Sequence, residues 1–176
     1  KLNIKDIKKL SSLISYFRPD EIYNLSGLSS VYESFKKPYE AHSSNVIPVL
    51  NILEIVKNSG RNIKFYNSGS GEIFGNTNEI VDENTTPKPL SPYGYSKLAS
   101  VNLVKSYRES YDLNAFSGLA FNHESVLRGE NFVTKKILSV AVDIYRGKKT
   151  SLKLGNINIE RDWGWAPEYV EAMWLL

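Results

Sequence analysis

Short apolar runs alternate along this chain with longer segments whose apolar residues recur every three or four positions. Residues 21–26 (Glu-Ile-Tyr-Asn-Leu-Ser) read as a buried strand entered from the Pro19-Asp20 turn. Over residues 31–58, Val46, Val49, Leu50, Leu53 and Val56 fall at helical steps, and Gly60 ends that helix. Residues 62–68 predict a second strand, followed by a polar, proline-bearing loop through residues 82–89. Ser91 as N-cap and Pro92 at the first helical position open a helix that runs to about Tyr111. A third strand is expected at 114–121, a long helix at 132–146 with Gly147 as its stop, a short strand at 151–154 and a last helix at 167–176. Strands alternating with helices predict an α/β fold built on a parallel sheet.

Composition narrows the chemistry. The 176 residues, 41% hydrophobic and 23% charged, suffice for one domain with its own core. No stretch approaches the ~20 apolar residues of a membrane span, and residues 1–6 carry no apolar signal region, so no membrane partner and a cytoplasmic location are expected. The absence of cysteine excludes disulfides, thiolate nucleophiles and cysteine-ligated zinc, and two histidines cannot form a three-histidine metal site. No metal site is expected. The net charge of +3 comes from short, scattered basic pairs and not from a stripe, which argues against a nucleic-acid partner. There is no internal repeat, and no G-x-G-x-x-G follows a first strand.

In open α/β sheets ligands bind at the carboxyl ends of the strands. The second strand delivers Ser68-Gly69-Ser70-Gly71-Glu72 there. In extended chain Ser70 and Glu72 would share a face, a hydroxyl beside a carboxylate. The next helix carries Tyr93 and Lys97 four residues apart, on one helical face. An ammonium beside a phenol favours the phenolate, which makes Tyr93 a candidate acid/base for an alcohol. The sequence holds two further Tyr-x-x-x-Lys pairs, Tyr32 with Lys36 and Tyr145 with Lys149, expected to be half-solvated helix pairs. Position behind the strand that ends in Ser70 and Glu72 sets Tyr93 and Lys97 apart.

A serine after a middle strand followed by Tyr-x-x-x-Lys resembles the extended short-chain dehydrogenases/reductases. Residues 18–25 (Arg-Pro-Asp-Glu-Ile-Tyr-Asn-Leu), 107–111 (Tyr-Arg-Glu-Ser-Tyr), 121–125 (Phe-Asn-His-Glu-Ser), 128–134 (Arg-Gly-Glu-Asn-Phe-Val-Thr), and 154–156 through 161–164 (Arg-Asp-Trp-Gly) are similar to those of the GDP-mannose 4,6-dehydratase family, over nearly the whole chain. The resemblance implies a Rossmann-like, doubly wound parallel sheet. Residues 1–150 would belong to an incomplete NADP-binding domain and 151–176 to the start of a nucleotide-sugar-binding portion.

The resemblance also implies NADP as internal hydride carrier and GDP-mannose or a related nucleotide sugar as substrate. Tyr93, Lys97, Ser70 and Glu72 would be catalytic, with Ser70 and Glu72 also touching the sugar together with Asn122 and Arg161. Cofactor contacts would come from Asn3, Ile4, Leu25, Ser26, Gly27, Leu28, Ser29, Tyr93, Lys97, His123 and Arg128. Asn3 stands where the family has aspartate, Gly27 and Leu28 where it has alanine and glutamine, Gly71 where it has serine, and Trp165 where it has histidine. A homodimer or homotetramer in GDP-fucose biosynthesis is implied. The family's glycine-rich turn is expected before residue 1 and much of its sugar-nucleotide portion after residue 176, so the 176 residues alone are expected to be inactive. Competing readings are another nucleotide-sugar dehydratase or epimerase, and an inactive truncated α/β module. Alternative roles for single residues are a structural His123, a solvated loop carboxylate at Glu72, an Arg128–Glu130 surface pair, packing roles for Trp163 and Trp165, and an ordinary tight turn at residues 25–29.

Overall fold

A computed structural model describes residues 2–77 and 79–176. They divide into two compact units, Lys1–Ala120 and Phe121–Leu176.

The first unit is a parallel sheet of β1 (Glu21–Asn24), β2 (Lys64–Ser68) and β3 (Ala115–Gly118), in that order, with β2 central. Helix α1 (Ile7–Phe17) precedes β1, α2 (Val31–Lys36) and α3 (Pro38–Asn58) join β1 to β2, and α4 (Pro92–Tyr111) joins β2 to β3. Sequence reading passed over α1. Its signals are an Asp6 N-cap that accepts the Lys9 N–H at 3.2 Å and a single buried face of Leu10 and Ile14. The long helix expected over 31–58 is two helices. Lys37, placed before Pro38, is driven out of the α region (φ −133, ψ 61), and Pro38 then starts α3 at a position where its missing N–H costs nothing.

The core joins Leu10 and Ile14 of α1, Val49, Ile52, Leu53, Ile55 and Val56 of α3, Phe65 of β2, Val104 of α4 and Ala115 of β3. On the opposite face of the sheet the register partners Tyr23, Tyr66 and Phe116 form a row with neighbouring ring centroids 5.9 Å apart. Burial raises the pKa of the Tyr66 phenol.

The second unit pairs β4 (Asn122–Glu124) in parallel with β5 (Trp163–Trp165) and carries α5 (Val133–Tyr145) and α6 (Ala166–Leu175). The strand expected at 151–154 is not formed. That segment has no partner strand among the described residues, and the Lys153 carbonyl accepts a hydrogen bond from Lys136 Nζ at 2.6 Å. The strand forms instead in the Trp163-Gly164-Trp165 segment. Helix α5 stops as expected, with Gly147 in the left-handed region at φ 69. No helix among the described residues is long and apolar enough to cross a membrane.

Candidate active site

The chain leaves β2 along β3. Gly69 N–H donates to the Gly118 carbonyl at 2.8 Å and Gly71 N–H to the Ala120 carbonyl at 2.9 Å. Ser70 is the turning point. It is buried and extended, and its Oγ accepts the Glu72 N–H at 3.3 Å, capping a short 3-10 helix over Gly71–Phe74. The expected extended spacing of Ser70 and Glu72 is therefore wrong. Capping ends the strand at Ser70, so half-buried Glu72 stands in the first turn of a helix and not two residues further along a strand.

Helix α4 brings the second half of the site. Ser91 Oγ accepts the Gly94 N–H at 3.0 Å, with Pro92 at the first turn as expected. Its start lies directly on the Glu72 turn: a Cβ at Gly94 would sit 2.6 Å from the Glu72 carbonyl oxygen and 3.0 Å from Pro89 Cβ, so only glycine permits this approach. Tyr93 and Lys97 share a face, with Lys97 Nζ 5.9 Å from the centre of the Tyr93 ring, and both are buried. Lys97 Nζ donates to the Ser68 carbonyl at 2.8 Å. Burial holds the pKa of this ammonium down to about 8.

Neither of the other two Tyr-x-x-x-Lys pairs has such a setting. Lys36 lies 4.1 Å over the exposed Tyr32 ring, while Lys149 pairs with Asp143 at 2.9 Å beside an exposed Tyr145.

Sequence reading missed a buried amide system under this site. Asn24, Asn67 and Ser117 are successive register partners across β1, β2 and β3. Asn24 Nδ2 donates to Asn67 Oδ1 at 3.1 Å, and Asn67 Nδ2 donates to Ser117 Oγ at 3.2 Å and to Ser100 Oγ at 3.4 Å. Ser100 Oγ in turn donates to the Lys97 carbonyl at 2.8 Å. At the other end Ser26 Oγ donates to Asn24 Oδ1 at 2.5 Å, which ties the loop 25–29 to the same row. Asn45 of α3 makes a second tie, its Nδ2 donating to the Leu28 carbonyl at 3.1 Å and to Ser96 Oγ at 2.8 Å. The available signal was an asparagine inside each of two apolar strand patterns, since buried amides require partners.

Leu25, Gly27 and Ser29 are exposed, whereas Ser26 and Leu28 are half-buried. Asn3 is exposed, with Oδ1 accepting the Lys5 N–H at 3.1 Å, and the Ile4 carbonyl accepts from Asn51 Nδ2 at 3.2 Å.

In the second unit, His123 lies on β4 with Nδ1 2.9 Å from the Phe121 carbonyl and its ring centre 5.0 Å from that of Tyr169. Arg128 pairs through Nε with Glu124 Oε2 at 3.3 Å and lies 3.4 Å over the Phe132 ring. Its ion-pair partner is Glu124 and not Glu130, because the turn after β4 folds Arg128 back onto that strand. Asn122 is the register partner of Trp163. Arg161 is exposed, its Nη1 donating to the Glu160 carbonyl at 2.8 Å.

A parallel α/β sheet with a buried Tyr-x-x-x-Lys pair at the carboxyl end of its central strand defines a Rossmann-type chain of the extended short-chain dehydrogenase/reductase kind. Comparison with known proteins narrows this further. The family profile described as GDP-mannose 4,6 dehydratase matches residues 1–176, and the chain belongs to that family. It is 45% identical to GDP-mannose 4,6 dehydratase 2 of Arabidopsis thaliana, over 100% of this chain and 49% of that protein. It is 41% identical to the Homo sapiens GDP-mannose 4,6 dehydratase, over 99% of this chain and 48% of that protein. The chain thus spans about half the length of the curated relatives it matches. Among solved structures, RMD from Pseudomonas aeruginosa complexed with NADPH superposes with a TM-score of 0.89 at 24% identity, over 98% of this chain and 60% of that one. The UDP-glucose 4-epimerase of Thermus thermophilus in complex with NAD gives 0.86 at 23%, over 99% and 58%. These likenesses establish the fold.

Proposed function

We propose that the protein carrying this chain removes water from GDP-mannose to give GDP-4-keto-6-deoxy-mannose, with NADP as a resident hydride carrier. The observation that carries this reading is that two elements bearing acid/base groups pack together at the carboxyl end of β2. The first is the start of α4, which carries the Tyr93–Lys97 pair, and the second is the turn bearing Glu72, whose backbone Gly94 packs against. Alcohol oxidation needs only the first; elimination of water needs a second acid/base beside it.

The donor set suits a nicotinamide cofactor. The Lys97 ammonium has three N–H groups and spends one on the Ser68 carbonyl, which leaves two for ribose hydroxyls. The loop 25–29, tied down through Ser26 and Leu28, offers small residues for close approach. Asn3, Ile4, His123 and Arg128 complete the proposed cofactor contacts, and Asn122 and Arg161 belong to the nucleotide-sugar side. A nicotinamide held by these residues would supply hydride storage between oxidation at C4 of the sugar and reduction at C6.

Tyr93 takes the proton of the C4 hydroxyl, Ser70 hydrogen-bonds the C4 oxygen, and the charge on Lys97 assists that proton transfer. The resulting C4 ketone acidifies the C5 proton. Glu72 removes this proton and passes it to the departing C6 hydroxyl, which leaves as water; as hydride returns to C6, C5 takes up the proton that Tyr93 holds from the C4 hydroxyl, which restores both groups. The same proposal places cofactor-binding residues in 1–150 and the start of the nucleotide-sugar portion in 151–176. It also takes the protein to be a cytoplasmic homodimer or homotetramer, and the 176 residues alone to be inactive.

The test is mass spectrometry of GDP-mannose incubated with the full-length protein. Loss of one water is expected with the parent, and no such loss with Glu72→Gln, which should still bind NADP. An unchanged rate in Glu72→Gln would remove the role given to that carboxylate.

A further inference from the structure

His123 and Gly164 are register partners in the second unit, and Tyr169 lies one turn into the helix that follows. A Cβ at Gly164 would sit 2.3 Å from Tyr169 Cε2 and 2.9 Å from its Oη, so the phenol ring rests on the bare backbone of β5. There it meets the His123 ring, with centroids 5.0 Å apart and planes inclined by 33°. On its other side His123 is fixed through Nδ1, 2.9 Å from the Phe121 carbonyl. A carbonyl only accepts, so this contact is a hydrogen bond when Nδ1 carries the proton. In the neutral ring Nε2 is then an unprotonated acceptor. Free histidine has no such constraint, and the ring contact with Tyr169 opposes rotation away from the carbonyl.

We propose that Tyr169, seated on Gly164, is a positioning residue that holds His123 as its Nδ1–H tautomer, so that Nε2 presents an acceptor to an O–H or N–H donor on the cofactor. The inference rests on the reading of His123 as a cofactor contact and says which chemistry that contact takes. A ribose hydroxyl or the carboxamide N–H can donate to it, whereas a phosphate oxygen cannot.

The test uses the full-length protein labelled with 15N-histidine. Long-range proton–nitrogen correlation spectra at neutral pH distinguish the two tautomers, and the His123 signals are those missing in His123→Gln. Parent and Tyr169→Phe, which keeps the ring, should show the Nδ1–H pattern and bind NADP equally. Tyr169→Ala and Gly164→Ala, which remove or displace the ring, should show mixed tautomers and about three- to tenfold weaker NADP binding, the value of one hydrogen bond. Tyr169→Ala should add nothing in a His123→Gln background.

A pure Nδ1–H signal and unchanged affinity in both Tyr169→Ala and Gly164→Ala, with weakened binding in His123→Gln, would overturn the role of Tyr169. Unchanged affinity in His123→Gln would instead overturn the cofactor reading of His123. Gly164→Ala leaves Tyr169 in place chemically, so the test survives if Tyr169→Ala fails to fold.

Discussion

Replacing Lys97 with methionine should make the protein more stable while removing its activity. The unfolded chain holds the lysine proton to its ordinary value near 10.5, whereas the folded chain holds it only to about 8 because the ammonium is buried. Below pH 8 both states carry the proton, and the fold bears the full penalty, about 3 kcal/mol at pH 7. Between pH 8 and 10.5 the unfolded state binds the extra proton, so rising pH favours the fold, and at pH 10 the penalty has shrunk to about 1 kcal/mol. Methionine fills similar space without charge, but leaves the Ser68 carbonyl without the 2.8 Å bond it accepts, at a cost of about 1 kcal/mol. Lys97→Met is therefore expected to exceed the parent by about 2 kcal/mol at pH 7 and to match it near pH 10. Urea unfolding of both cofactor-free proteins at the two pH values measures this, and comparing variant with parent at each pH cancels the other titrating groups. A gap that does not change with pH, or a variant less stable at pH 7, would refute the reasoning.

Two other substitutions probe the scaffold. Gly94→Ala drives a methyl group into the Glu72 carbonyl and Pro89, and should cost about 1–3 kcal/mol in thermal unfolding while lowering kcat far more than NADP affinity. Unchanged turnover would mean that the start of α4 does not set the position of Glu72. Asn67→Leu strips Asn24 Nδ2 of its acceptor and both serine hydroxyls of a donor, and should destabilise by about 2–4 kcal/mol in urea unfolding. A neutral result would show that the row is dispensable.

What could be read from the sequence was set by how local its cause is. Helix α4 was legible to the residue because Ser91 and Pro92 act within one turn, and the stop of α5 was legible because Gly147 takes a positive φ. The Pro38 break was also local, but the apolar steps that mark the helix, Val46 to Val56, all lie beyond it and say nothing of the turn before it. Strand β5 was illegible: three residues, two of them exposed tryptophans, become a strand only because β4 lies beside them. At the site, the shared face of Tyr93 and Lys97 follows from helical spacing alone. The relation of Ser70 to Glu72 depends on where a strand ends, and Ser70 ends it by capping the next turn. The ties of Asn24, Asn67 and Asn45 span 43, 50 and 51 residues of chain, so spacing could not announce them.

The row Asn24–Asn67–Ser117 has a consequence for how the sheet avoids misassembly. The residues that precede this row on β1 and β2, Ile22, Tyr23, Phe65 and Tyr66, are apolar or aromatic, and side chains of that kind tolerate several alignments of one strand on another. A shift of two residues would keep every side chain on its own face yet set Asn67 opposite Ile22, stranding an amide in the core. That single mismatch costs a few kcal/mol, which a small difference in apolar burial cannot recover. The polar row thus acts as a proofreading mark: it tells the correct alignment from a near-isoenergetic wrong one before any cofactor has been bound.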